Sequence, residues 1–102
     1  MTPEGKVKKK IKALLDSYGE RVYVFMPVPS GYGKTTVDYL ICFDGLFIAI
    51  EAKAGGKPAT SRQEDVLKQV HDAGGSSFVV DDDDSLQTLA NFLLTITLKI
   101  PV

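Results

Sequence analysis

Apolar residues recur at helical spacing from the start of the chain. Val7, Ile11, Leu14 and Leu15 mark one face, and Lys6, Lys8, Lys9, Lys10 and Lys12 cover the other. Thr2 is suited to the N-cap and Pro3 to the first helical position, and Gly19 is a natural stop. Arg21 to Met26 changes character and, rich in Val, Tyr and Phe, predicts a strand. Pro27 to Gly33 carries two prolines and two glycines and predicts a loop.

Two further strands are expected at Thr36 to Phe43 and Leu46 to Lys53, joined by Asp44-Gly45, a two-residue hairpin signal. Ala54 to Thr60 reads as a loop and Ser61 to Asp72 as a helix. Ser61 with Glu64 has capping-box spacing, and Thr60 with Gln63 offers the same pattern one residue earlier. Gly74-Gly75 ends that helix, Ser77 to Asp81 is a short strand, and Ser85 to Leu94 is a last helix. Residues 96–102 alternate too weakly to assign. The order helix, three strands, helix, strand, helix predicts one domain over residues 1–102: an α/β sandwich around a mixed sheet.

The hairpin has a chemical consequence. If Asp44-Gly45 is the whole turn, Phe43 faces Leu46, Ile41 faces Ile48, Tyr39 faces Ile50, and Asp38 faces Glu51. Lys53, two residues past Glu51, shares that face. Val37, Tyr39, Ile41 and Phe43 are expected on one face of their strand and Leu40 and Cys42 on the other. Both strands are apolar enough to be covered on both sides, which places Cys42 in the core. Two carboxylates opposite one another in such a setting need a compensating cation. Lys53 is one, and oxygen ligands at this spacing suit Mg²⁺ or Mn²⁺. At an exposed sheet edge the same three residue types would be only a solvated face, so the apolar flanks carry the inference.

Asp38 followed after a hairpin by Glu51-Ala52-Lys53 resembles the D…(D/E)xK signature of the PD-(D/E)xK nuclease superfamily, and within it a compact VRR-NUC (virus-type replication-repair nuclease) domain. The resemblance spans nearly the whole chain. Glu4 falls in the first helix, where the family places an active-site glutamate. Gly33 precedes Asp38, Gln63 follows Lys53 on the next helix, and Gly74-Gly75 with Phe78-Val79-Val80 matches the last core strand. Val37 replaces the proline of the "PD" name, and Asp81 to Asp84 stands where a basic residue is expected.

What the resemblance implies is a restriction-endonuclease-like α-β-β-β-α-β core with a C-terminal helix. It also implies a Mg²⁺- or Mn²⁺-dependent, structure-selective DNA endonuclease, similar to Holliday-junction resolvases and acting as a homodimer on four-way junctions. Flap cleavage or nonspecific nicking on the same fold is the near alternative, and a noncatalytic nucleic-acid-binding module a more distant one. By the same resemblance Asp38 and Glu51 ligate metal, with the Ala52 carbonyl and Glu4 as further ligands. Lys53 orients the attacking water or stabilises the charge that develops, and Gln63 bonds the water or a phosphate. Glu4 is equally the acid that any helix N-terminus favours, and Gln63 an ordinary first-turn residue. A cytoplasmic setting of bacterial or viral origin goes with this family.

Composition adjusts the picture in a few respects. The net charge of −1 hides an asymmetry: residues 1–36 carry seven Lys/Arg against three Asp/Glu, and residues 37–102 five against ten. That permits a nucleic-acid ligand without demonstrating one. No apolar run approaches the roughly 18 residues of a membrane span, and the charged N-terminus lacks the apolar region of a signal peptide. Cys42 is the only cysteine, so neither an intrachain disulfide nor a cysteine zinc site is expected. His71 has no evident ligand partner.

Gly31 to Thr36 resembles a phosphate-binding loop, but Val28 stands where the motif needs its first glycine and a strand follows where it needs a helix. No nucleotide cofactor is therefore expected. Lys34 and the lysine run at 6 to 12 are candidates for phosphate contact or for plain solvation. Asp81 to Asp84 most simply caps the last helix, and residues near the C-terminus are a candidate dimer interface.

Overall fold

A computed structural model describes residues 1–28 and 36–99. Among them the elements run α1 (Pro3–Asp16), a single 3₁₀ turn (Gly19–Arg21), β1 (Val22–Phe25), β2 (Tyr39–Phe43), β3 (Leu46–Ala52), α2 (Ser61–Asp72), β4 (Ser76–Val80) and α3 (Asp83–Thr97). The fold is α/β, with a mixed sheet in the order β1-β2-β3-β4. The first three strands are antiparallel, and β4 joins β3 in parallel after the α2 crossover.

Local chemistry explains the boundaries. Thr2 caps α1 by accepting from the Gly5 N–H at 3.0 Å, with Pro3 in the first turn. Of the two capping boxes open to α2, the chain uses Thr60 with Gln63. Gly74, at φ +101°, turns the chain out of α2. At Gly75 an added Cβ would lie 2.9 Å from the Phe47 carbonyl oxygen, so only glycine lets the end of α2 press this close to β3. Asp82 caps α3, accepting from the Ser85 N–H at 2.8 Å, so the helix starts two residues earlier than Ser85. It also runs on to Thr97, three residues past Leu94, because Ile96 still packs against the core.

The hairpin register is the one counted from its turn: Phe43 faces Leu46, Ile41 faces Ile48 and Tyr39 faces Ile50. Asp44 and Gly45 both take positive φ, +49° and +85°, which is what a two-residue turn of this hand requires.

Two clusters sandwich the sheet. Ile11 and Leu15 of α1 and Leu89 and Leu93 of α3 bury Tyr39, Ile41, Phe43, Ile48, Ile50, Ala52 and Val80 on one face. Leu67 of α2, with Val66 and Val70, covers Ala49, Leu40, Val79 and Val37 on the other. Each fully buried aliphatic side chain contributes about 1.5–3 kcal/mol, so this packing holds β3 in place at the centre of the sheet.

Three sequence expectations need correction. β2 begins at Tyr39, and Asp38 lies in a bend before it. Val37 consequently joins the α2 cluster and does not share the face of Tyr39, Ile41 and Phe43. Cys42 is exposed, because α2 reaches Leu40 in β2 but leaves Cys42 uncovered. The row Tyr23–Cys42–Phe47 is thus an apolar strip that no element among the described residues covers, with Tyr23 69% and Phe47 48% exposed. Burial on both faces holds for β3 from Ile48 onward and fails for much of β2. The loop expected at Pro27 to Gly33 lies mostly outside the described residues, as do Gly33, Lys34 and the rest of the phosphate-loop-like segment up to Thr35. Residues 100–102 lie outside them as well.

Candidate active site

Glu51 is 2% exposed and is the one buried charged residue among those described. It sits near the C-terminal end of β3 between Ile50 and Ala52, both fully buried. One position beyond the last ladder pair, Asp38 faces it, and side chains take over where the backbone ladder stops. The Asp38 N–H donates to Glu51 Oε1 at 3.1 Å, and the Ala52 N–H donates to Asp38 Oδ2 at 2.8 Å. Each acid therefore occupies a backbone group that the ladder would otherwise have paired. This exchange also frees the chain from the pleat, which is why Val37 turns to the opposite face.

The second oxygen of Glu51 meets two donors. Gln63 Nε2 lies 2.7 Å from Oε2, and Lys53 Nζ lies 3.4 Å from it. Gln63 is aimed by its role in the helix cap. Its Oε1 accepts from the Thr60 N–H at 3.0 Å, which leaves the amide nitrogen pointing at Glu51. Lys53 leaves the sheet just after β3, with its backbone N–H donating to the Val80 carbonyl at 2.9 Å. Its side chain is 14% exposed.

Lys8 is the site residue that sequence reasoning missed. Its ammonium bridges Asp38 Oδ1 at 3.3 Å and Glu4 Oε2 at 3.6 Å. The Tyr39 hydroxyl donates to the Lys8 carbonyl at 3.4 Å and ties α1 to β2 at this point. Partial burial opposes the charge on Lys8, but Asp38 and Glu4 more than offset it and hold its pKa above the ordinary lysine value. The available signal was the four-residue spacing from Glu4 to Lys8, a helical ion-pair spacing. It did not distinguish Lys8 from its neighbours in the run. Lys10 pairs with Asp83 at 2.8 Å and Lys12 with Asp16, so those two lysines have partners elsewhere.

The electrostatics are uneven. Burial pushes the Glu51 carboxyl up from 4.5 to about 7, the negative charge of Asp38 adds to the rise, and Lys53 opposes it. The site has hard oxygen donors, and burial makes the charge on Glu51 costly even with Lys53 beside it.

The structure thus brings Asp38, Glu51, Lys53 and Gln63 together, and Ala52 with them through its N–H. Glu4 reaches the group only through Lys8. Among the described residues no three His, Cys, Asp or Glu side chains gather as a metal-holding group. The donor set that fits a cation here is two carboxylates with backbone and water oxygen to complete it. Mg²⁺, which keeps several of its waters, tolerates so sparse a set. Asp81 to Asp84 serves α3, through the Asp82 cap and first-turn acids. His71 is exposed. Among the described residues no helix is long and apolar enough to cross a membrane. No protein-family model and no curated protein matches the chain.

Proposed function

We propose that the chain is a metal-dependent DNA endonuclease of the PD-(D/E)xK type, similar to VRR-NUC domains, that hydrolyses phosphodiester bonds. The observation that carries this reading is the buried Glu51 locked against Asp38, with Lys53 and Gln63 on its remaining oxygen. A merely solvated cluster of the same residues would not place a carboxylate at the centre of a sheet, where its charge is costly. A protein that keeps such a group at β3 gains most from it by holding a cation.

Mg²⁺ or Mn²⁺ bound at Asp38 and Glu51 would supply an activated water and neutralise phosphate charge. The chain's own residues do the positioning. The Ala52 N–H fixes Asp38, Gln63 fixes Glu51, and Lys53 presents an ammonium beside them to stabilise charge developing on the phosphate. The substrate class is branched DNA, with a four-way junction cut by a homodimer as the specific form. The Tyr23–Cys42–Phe47 strip offers that dimer a contact surface. A second reading, a noncatalytic nucleic-acid-binding module, draws on the site's complete internal hydrogen bonding: among the described residues no buried side-chain nitrogen or oxygen lacks a partner.

The test is cleavage of four-way junctions, flaps, duplexes and single strands in Mg²⁺ or Mn²⁺, with gel filtration of the same samples. Asp38→Ala, Glu51→Ala and Lys53→Ala should each lose on the order of 10²–10³-fold in rate. Undiminished cleavage by Glu51→Ala would remove the proposed site. No cleavage by the wild type, together with no Mn²⁺ effect on its melting, would favour the binding module.

A further inference from the structure

Two lysines serve the carboxylate pair, and they are held differently. Lys53 is 14% exposed and lies against Glu51, itself 3% exposed at the side chain. Lys8 is 37% exposed and lies against Asp38 at 23%. The two separations are alike, 3.3 Å for Lys8 and 3.4 Å for Lys53, both longer than the roughly 2.7–2.9 Å of a well-formed charge-assisted hydrogen bond, so the difference between them is one of burial. Lys53 is therefore the inner cation and Lys8 the outer, more exposed one.

Asp38 does not depend on Lys8 for its pose. Its other oxygen is fixed by the Ala52 N–H at 2.8 Å, and its own N–H is fixed on Glu51. Lys8 in turn has a second anchor, Glu4, one helical turn away on α1. Its backbone is held through the Tyr39 hydroxyl. The ammonium can thus leave Asp38 without unravelling either element, and it remains paired at the mouth of the site when it does.

We infer that Lys8, anchored by Glu4, is the resident counter-ion of Asp38 and competes with a divalent cation for Asp38 Oδ1. This rests on the metal-binding reading above and assigns Glu4 a different part from a ligand: it retains Lys8 when the cation enters. The physical reason is charge balance. An ammonium and a divalent ion cannot both approach one carboxylate oxygen closely without repelling each other. The partly exposed pair with Lys8 is the weaker hold and is the one to give way.

The experiment is Mn²⁺ binding to the full chain, read from loss of the free-ion EPR signal, with Asp38→Asn marking binding that belongs to this site. Lys8→Met keeps the aliphatic stem and removes the charge, and is expected to bind Mn²⁺ about tenfold more tightly than the wild type. Lys8→Arg keeps the charge and should stay near the wild type. Lys8→Met/Glu4→Gln should match Lys8→Met within about twofold, because Glu4 acts only through Lys8. If Lys8→Met binds Mn²⁺ equally or more weakly, Lys8 organises Asp38 and the competition is overturned while the nuclease reading stands. Weaker binding in the double variant than in Lys8→Met makes Glu4 a ligand and overturns its anchoring part. Absence of Asp38-dependent Mn²⁺ binding in both the wild type and Lys8→Met overturns the competition and the metal-dependent reading together.

Discussion

The β2–β3 hairpin carries a charged cluster at each end, and the two behave oppositely. At the turn, Asp44 receives the Arg21 guanidinium, with Nε 3.2 Å from Oδ1 and Nη2 on Oδ2. The guanidinium also lies 5.4 Å from the centre of the Phe43 ring. That hydrogen-bonded cation holds the Asp44 carboxyl below its ordinary range. At the open end Glu51 has a lysine and an amide for partners, yet burial pushes it up to about 7. One strand pair therefore holds one acid that is easily ionised and one that is not. The difference teaches what each end is for. A solvated fork braces a turn that Asp44 and Gly45 already form by themselves. A buried acid stabilises the fold while it keeps its proton, and its charge is costly once that proton is lost.

The largest effect that would break this comparison is on pH dependence. Glu51 holds its proton more tightly folded than unfolded. Its contribution to stability is therefore complete below about pH 4.5 and is lost as pH rises toward about 7. Asp44 has the reverse sign and titrates below 3.8, outside that window. Urea unfolding in chelator, in a His71→Gln background to remove the one imidazole, should show stability falling by roughly 2 kcal/mol between pH 5 and 8. Glu51→Gln should flatten the slope. The slope is the proper readout, because an amide at position 51 would face the donors of Gln63 and Lys53 and alter absolute stability as well. Saturating Mg²⁺ should remove the fall, since a bound cation favours the ionised acid. A flat wild-type profile in chelator would mean that Glu51 is ordinary.

Gln63 comes next in size. It caps α2 and binds Glu51 with the two ends of one amide. Gln63→Ala should cost about 1–2 kcal/mol from the lost cap and the lost hydrogen bond together. Gln63→Glu separates the two tasks, because glutamate serves a capping box equally well but sets a carboxylate against Glu51. Its melting temperature should match the wild type near pH 5 and fall below it at pH 8. Equal melting at both pH values would show that the Gln63–Glu51 contact contributes nothing.

These residues were not equally legible beforehand. The hairpin register followed from the turn alone, because a two-residue loop fixes every pair along both strands. That placed Asp38 opposite Glu51 without any knowledge of the helices. The limits of α2 were legible because its signals are local. Lys8 was not, since nothing in a run of helical lysines says which one meets a strand thirty residues away. The reversal at Val37 was hidden because alternation assumes a regular pleat, and the pleat ends where Asp38 trades its ladder bonds for Glu51 and Ala52. Cys42 was misplaced for a related reason: an apolar strand pattern does not reveal that α2 reaches Leu40 in β2 but leaves Cys42 uncovered.

The smallest expected effect sharpens the comparison from the turn end. Arg21→Ala removes the fork on Asp44 and the guanidinium over Phe43. Both partners are well exposed, at 39% and 29% for their side chains, so solvent and salt already weaken the pair. Asp44-Gly45 retains its turn without Arg21, because the positive φ values belong to those two residues. The melting temperature should drop by only about 1–2 °C at low salt, and the gap should narrow in high salt. The pH slope set by Glu51 and the Mn²⁺ affinity should both stay at wild-type values. Those two readouts make the variant informative. If Arg21→Ala changed either of them, charge at the turn would be felt at the open end across the length of β2 and β3. The two clusters would then form one electrostatic unit, and the contrast between the exposed pair at the turn and the buried one at the open end would fail.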